Sequence, residues 1–304
     1  MEFIKPKKLM KGDTIGVVSP SEPIENSETD EQFKSGIKFL ESLGFKIKLG
    51  KFLSSKNPEE KAKDMNEIFK DSNVKAIIAS QGGETANALL PFLDYALIKN
   101  NPKIFIGISD ITVLLDGINK KTGLITFHGN DVKWGFGRKP TDYDKEEFLE
   151  TLLKSEKREI PANSKRKVIR EGKASGKLIG GNLSCIQKLA GTEYFPDFKN
   201  AILFLEDYKP TTGKIEYRLN QLKQIGVFDK IKGIVIGHID GMEKSDEREF
   251  EDILLEITKE HNFPILKTED FGHNCPNTVL PLGIEAEIDC KNKTFKLKES
   301  SVSN

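Results

Sequence analysis

The chain is expected to be an α/β protein, with a mostly parallel sheet covered by helices on both faces. Two features predict it. Short apolar runs of β type, among them VKAIIAS and KIFIGIS, alternate with amphipathic helical patterns through the first half. Strands that alternate with helices in this way must be joined by crossovers, which places helices over both faces of the sheet. At 304 residues the chain can bury a sizeable core in one large domain or two ordinary ones.

Taken in order, DTIGVVSPS reads as the first strand, and the helix after it puts Phe33, Ile37 and Leu40 on one face before Gly44 closes it. FKIKLG is a strand, NPEEKAKDMNEIFKD a helix and VKAIIAS an apolar strand. A Gly-Gly turn, a helix, KIFIGIS, another helix and LITFHG follow. The pattern breaks after the helix DYDKEEFLETLLKS, where REIPANSKRKVIREGKASG is polar and lacks helical periodicity. This gives an N-terminal α/β domain over 1–155, a linker over 156–176 and a C-terminal domain over 177–304. That last part begins a second α/β unit with GKLIGGNLSCIQKLAG, AILFLEDY, a helix with Ile215, Leu219 and Leu222 on one face, and GIVIGHI. Its tail, TVLPLGIEAEIDCKNKTFKLKE, reads as a hairpin turning at Lys-Asn.

Lys plus Arg and Asp plus Glu both number 47, so the balance gives no electrostatic reason to expect a nucleic acid or an anionic membrane as partner. No apolar stretch approaches the roughly 20 residues needed to cross a bilayer, and the opening MEFIKPKKLMKGD lacks the apolar segment of a secretory signal. A soluble, cytoplasmic protein is expected. Cys185, Cys275 and Cys290 have no short pair spacing, which argues against a disulfide framework and a zinc site.

Ligands of parallel sheets bind at the carboxyl ends of the strands, so the turns there are where chemistry is expected. In SQGGETANALL, Gly82 and Gly83 would expose backbone N–H groups, though the turn completes neither a P-loop nor a dinucleotide fingerprint. In KIFIGISDITVLL, Ser109 follows a strand and precedes a helix. It is either a nucleophile at a sharp turn, with the Asp110 N–H aimed at an oxyanion, or a simple N-cap. A serine nucleophile needs a base and an orienting acid. Of the four histidines, His261 ends a charged helix and His128 and His238 end strands, whereas His273 lies in the polar loop EDFGHNCPN, as a base or as a surface imidazole. Glu206 closes the apolar strand AILFLEDY, where a carboxylate wants a partner, and Asp207 points to the opposite face.

The motifs GDTIGVVSPS, SQGGETANALLPFLDY, NPKIFIGISDITVLL, TGLITFHGN, GGNLSCIQKLAGT, ILFLEDY and DFGHNCPNTVLPLG together resemble the LD-carboxypeptidase family of serine peptidases, over about residues 8–289. That family holds muramoyltetrapeptide carboxypeptidases of peptidoglycan recycling and a branch of microcin C self-immunity peptidases. The resemblance implies a flavodoxin-like N-terminal domain, a smaller swivelling β/β/α C-terminal domain and a homodimer. It also implies a Ser-Glu-His triad on Ser109, Glu206 and His273, with oxyanion donors at Asp110 and at Gly83 or its neighbour Gly82. Neither a metal nor a cofactor is implied, and the substrate would be a small peptide or an aminoacyl compound.

Two departures bear on the substrate. Muropeptide enzymes typically carry Arg-Gly-Gly-Tyr-Gly where this chain has Gln81, Gly82, Gly83, Glu84 and Thr85. The immunity branch tends to carry a tryptophan between the domains, and here the single tryptophan is Trp134. A non-catalytic ligand-binding α/β protein would share the periodicity, but would not need a serine, a glutamate and a histidine at strand ends and loops.

Overall fold

The structure, a computed structural model, describes residues 3–304 and builds two sheets. The first contains β1 (Thr14–Val18), β2 (Lys46–Leu49), β3 (Val74–Ala79), β4 (Ile104–Gly107) and β5 (Thr126–His128), all parallel. β1, β3 and β4 are buried almost throughout, as strands covered on both faces should be. β2 is the exposed edge and carries Lys46 and Lys48, charges that discourage pairing with another chain.

The helices start where short polar side chains can cap them. Asp30 accepts from the Phe33 N–H at the start of α1 (Glu31–Ser42), and Asn57 caps α2 (Pro58–Lys70) just before its first-turn proline. α3 (Tyr95–Asn100) and α4 (Thr112–Thr122) pack with α2 on one face of the sheet. α1 lies on the other with the short helical turn Val132–Phe136. α5 (Asp142–Leu153) opens with a Thr141–Asp144 capping box.

The second sheet is centred on four parallel strands, β8 (Lys173–Asn182), β9 (Ala201–Tyr208), β10 (Gly233–Asp240) and β11 (Ile265–Gly272). Its connecting helices are α6 (Leu183–Gln187), α7 (Thr212–Gln224) and α8 (Phe250–Ile257). β13 (Glu285–Asp289) and β14 (Thr294–Leu297) form the expected hairpin and add to the β8 side.

The expected linker over 156–176 is corrected here. It holds β6 (Arg158–Glu159), β7 (Lys167–Arg170) and the start of β8, and β6 and β7 are the two edges of the second sheet. Edge strands need no apolar face, so their polarity had the look of a connection. The chain also crosses back. β12 (Leu280–Leu282) leaves the second unit and pairs antiparallel with β5 as the edge of the first sheet.

That return strand helps lock the two units around a shared core. Along β9, Ile202 and Phe204 belong to the large cluster that includes the first sheet, while Leu203 and Leu205 pack with α7 and α8. With a side-chain period of two, Glu206 and Tyr208 continue the face turned toward the first unit. Asp207 continues the opposite face and pairs with Arg218 of α7 at 2.7 Å.

Candidate active site

After β4 the backbone stays extended through Ile108, then turns sharply at Ser109, which has φ 63°. A non-glycine residue in the left-handed region carries a strain of roughly 1–2 kcal/mol. Ser109 is not a helix cap. The residue that precedes α4 is Ile111, no side chain caps that helix, and Ser109–Ile111 form a single 3-10 turn. The strained turn therefore leaves the Ser109 hydroxyl free of any capping role.

Gly82 lies directly against that hydroxyl. A Cβ added there would come within 2.7 Å of the Ser109 Cβ and 3.0 Å of its Oγ, so no larger residue could sit so close. Asp110 is fully buried and fastens the two turns together. Its carboxylate accepts from the Ser21 hydroxyl at 2.6 Å, from the Ala86 N–H at 2.7 Å and from the Lys188 ammonium at 2.6 Å. Lys188 also donates to the Glu84 carbonyl at 2.9 Å, so a side chain from the second unit holds both the Gly-Gly turn and the serine turn.

The second unit reaches the serine through another close approach. Gly181, with φ +147°, would place a Cβ 2.6 Å from the Thr112 methyl, and the next N–H, of Asn182, donates to the Thr112 hydroxyl at 3.2 Å. β8 thus abuts the start of α4, three residues beyond Ser109. Asn182 pairs in register with Glu206 on β9, which brings that carboxylate to the same end of the interface.

Glu206 Oε2 and His273 Nδ1 are 2.6 Å apart. With the proton on Nδ1 the ring donates to the carboxylate and keeps Nε2 as an acceptor. Burial pushes the Glu206 carboxyl up, but His273 beside it outweighs this and holds it below the usual range. Burial likewise pushes His273 down, and the Glu206 charge and hydrogen bond outweigh it, with smaller help from Asp131 and Asp207, so its pKa is raised above 6.5. Tyr208 stacks on the imidazole with centroids 4.7 Å apart and fixes its plane.

Both halves open onto one cavity of about 840 Å³, whose walls include Gly82, Gly83, Ser109, His273, Trp134 and Arg138. Glu206 stands behind His273 and Asp110 beneath the serine turn. Cys275 also lines the cavity, but burial foremost and Glu206 next push its thiol well above the ordinary range, so it stays protonated. Asp131, which accepts from the Gly135 and Trp134 N–H groups, borders the same space; burial outweighs those bonds and pushes its pKa up to about 6. Among the described residues no group of three or more His, Cys, Asp or Glu could hold a metal ion, and no helix is long and apolar enough to cross a membrane.

The model of the LD-carboxypeptidase N-terminal domain matches residues 15–129, and that of the C-terminal domain matches residues 175–288. The chain belongs to the LD-carboxypeptidase family. Among its LD-carboxypeptidase relatives, the microcin C7 self-immunity protein MccF of Escherichia coli is 34% identical, over 97% of this chain and 96% of that protein. A probable murein peptide carboxypeptidase of Bacillus subtilis is 32% identical over 98% of this chain and 95% of its own length. The solved structure of MccF in complex with aspartyl sulfamoyl adenosine superposes with a TM-score of 0.91 at 32% identity, covering 99% of this chain and 100% of that one.

Several residues around this cavity escaped the sequence reading. Tyr208 could have been found, because it lies two residues after Glu206 in a strand and so shares its face. Lys188, Asn182, Arg138 and Asn274 carry no spacing signal, since they meet the site only through the contact between the two units.

Proposed function

We propose that the chain is a serine peptidase that hydrolyses an amide next to a free carboxylate, as an LD-carboxypeptidase acting on muropeptide-type peptides. In this reading His273 Nε2 takes the proton of the Ser109 hydroxyl as the oxygen attacks the carbonyl carbon. Glu206 holds the imidazole and stabilises the imidazolium. The N–H groups of Gly83 and Asp110 bind the tetrahedral oxyanion. His273 then gives its proton to the leaving nitrogen, and a water activated by the same ring releases the acyl group from Ser109.

The observation that carries the reading is the Glu206–His273 pair, which shares one cavity with a strained serine whose hydroxyl serves no cap. A fixed ligand site would not require that combination of a coupled imidazole and an energetically unfavourable serine conformation. A second reading, hydrolysis of aminoacyl nucleotides, is supported by the likeness to MccF and by the indole of Trp134, 41% exposed at the cavity wall. A planar surface there could stack on a nucleobase.

The test is turnover of an L,D-tetrapeptide and of aspartyl sulfamoyl adenosine by the wild type and by Ser109→Ala. The wild type is expected to release the terminal D-amino acid with the higher kcat/KM. Ser109→Ala should lose at least about 10³-fold on either substrate. Its stability should stay within about 0.5 kcal/mol of wild type, because no hydrogen bond of a cap is lost. A ratio strongly favouring the adenosine would select the second reading, and near-normal activity of the variant would remove the serine mechanism altogether.

A further inference from the structure

Arg138 occupies an unusual position on the cavity wall. Its guanidinium carbon lies 4.3 Å from the centroid of the Trp134 ring, and Nη1 donates to the Asn274 side-chain oxygen at 2.6 Å. Among the described residues no carboxylate pairs with it, which is uncommon for an arginine lining a cavity with several acids. Its supports are themselves fixed. The Trp134 indole N–H donates to Gln81 Oε1 at 3.0 Å, its backbone N–H donates to Asp131, and Asn274 donates to Asp240 at 2.9 Å. The arginine is thus held flat at one edge, with Nε and Nη2 left as a two-pronged donor, the geometry that grips a carboxylate.

Its location fits the same task. Asn274 follows His273 in the chain, so the guanidinium is tied to the residue next to the base. The cavity is also lined by the carboxyl groups of Glu22, Glu84, Asp131 and Asp144, which repel an anion wherever they are ionised and leave few cationic side chains to receive one. Gln81 cannot take its place, because its amide N–H₂ already donates to the Pro23 carbonyl at 2.9 Å and its oxygen receives the indole.

We propose that Arg138 is the anchor for the free carboxylate of the substrate, presented by the Trp134 ring and Asn274 beside the base. The inference rests on the peptidase reading above and adds to it the group that recognises the chain end. Lys139 is the other cationic side chain from an arginine or lysine on the cavity wall and serves as the comparison.

The experiment measures kcat and KM for an L,D-tetrapeptide ending in D-alanine and for the same peptide with a C-terminal carboxamide. It uses the wild type, Arg138→Met, Arg138→Lys and Lys139→Met, with folding checked by thermal melting. The wild type should prefer the free acid by about tenfold or more, the size of one charge-assisted contact. Arg138→Met should abolish that preference by raising KM for the acid alone. Arg138→Lys should restore part of it, since it returns the charge without the fork, and Lys139→Met should keep it. Equal losses on acid and amide in Arg138→Met, or a preference that disappears in Lys139→Met instead, would overturn the assignment. If the wild type cleaves neither peptide, the peptidase reading itself fails, and the assignment falls with it. Aspartyl sulfamoyl adenosine, which lacks the terminal peptide carboxylate, is the remaining arm. A loss in Arg138→Met confined to that compound would mean the arginine serves a different group and would likewise overturn the proposal.

Discussion

The serine turn and the histidine loop meet at one cavity but are built by different physics. The serine side is a matter of backbone shape, with a residue at φ 63°, a glycine on which an added Cβ would lie 2.7 Å from the serine Cβ, and a buried aspartate that pins the turns. The histidine side is a matter of charge. It is a 2.6 Å carboxylate–imidazole contact in which each partner's pKa moves against the pull of burial. Damage to the first should therefore alter rate without moving the pH profile, and damage to the second should alter both.

The largest expected effect is on the charged side. Glu206→Gln should lower kcat by about 10²- to 10⁴-fold, as the imidazole loses its orientation and its counter-charge. The wild-type acid limb is expected above the ordinary imidazole range, because the His273 pKa is raised and the ring must be neutral to act as base. Without the Glu206 charge, burial is left to push His273 down, so the limb should shift to lower pH. A limb that stays in place would separate Glu206 from the base.

Gly82→Ala tests the shape side. Its methyl would collide with the Ser109 side chain, and misplacement of a reacting oxygen on that scale lowers kcat by about 10²-fold. The acid limb should not move. A displaced limb would mean that the two sides are coupled more closely than the geometry implies.

Lys188→Met should have the smallest effect on rate, about tenfold, since Asp110 keeps its bonds from Ser21 and Ala86 while the Gly-Gly turn loses a tether at Glu84. Removing the ammonium from a fully buried carboxylate should also destabilise the fold, by roughly 2 kcal/mol, less than for a wholly buried pair because the lysine is partly exposed. Lys188→Arg should recover most of both losses. A stability loss with unchanged kcat would reduce Lys188 to a structural link.

The same contrast explains what could be read from the sequence. Strands buried on both faces are continuous apolar runs, so β3 and β4 were legible, and alternation along AILFLEDY separated Glu206 from Asp207 correctly. Ser109 was ambiguous because serine favours both caps and strained turns, and only the backbone angle distinguishes them. The edge strands within 156–176 were hidden by their polarity, and β12 is too short, at three residues, to announce which sheet it joins. The arginine–asparagine contact links residues 136 apart in the chain, and no local pattern encodes it.

The central claim is that the two sides meet to make one activated serine, and it can be tested without knowing the substrate. An organophosphorus fluoride probe that forms a covalent ester with activated serines is to be followed by mass spectrometry across pH in the wild type and Glu206→Gln. The account predicts a single label on Ser109, with a rate that falls below a pKa above 6.5 in the wild type and a slower rate with a lower pKa in the variant. Labelling at another residue, or of Ser109 at the same rate and pH dependence in both proteins, would contradict it.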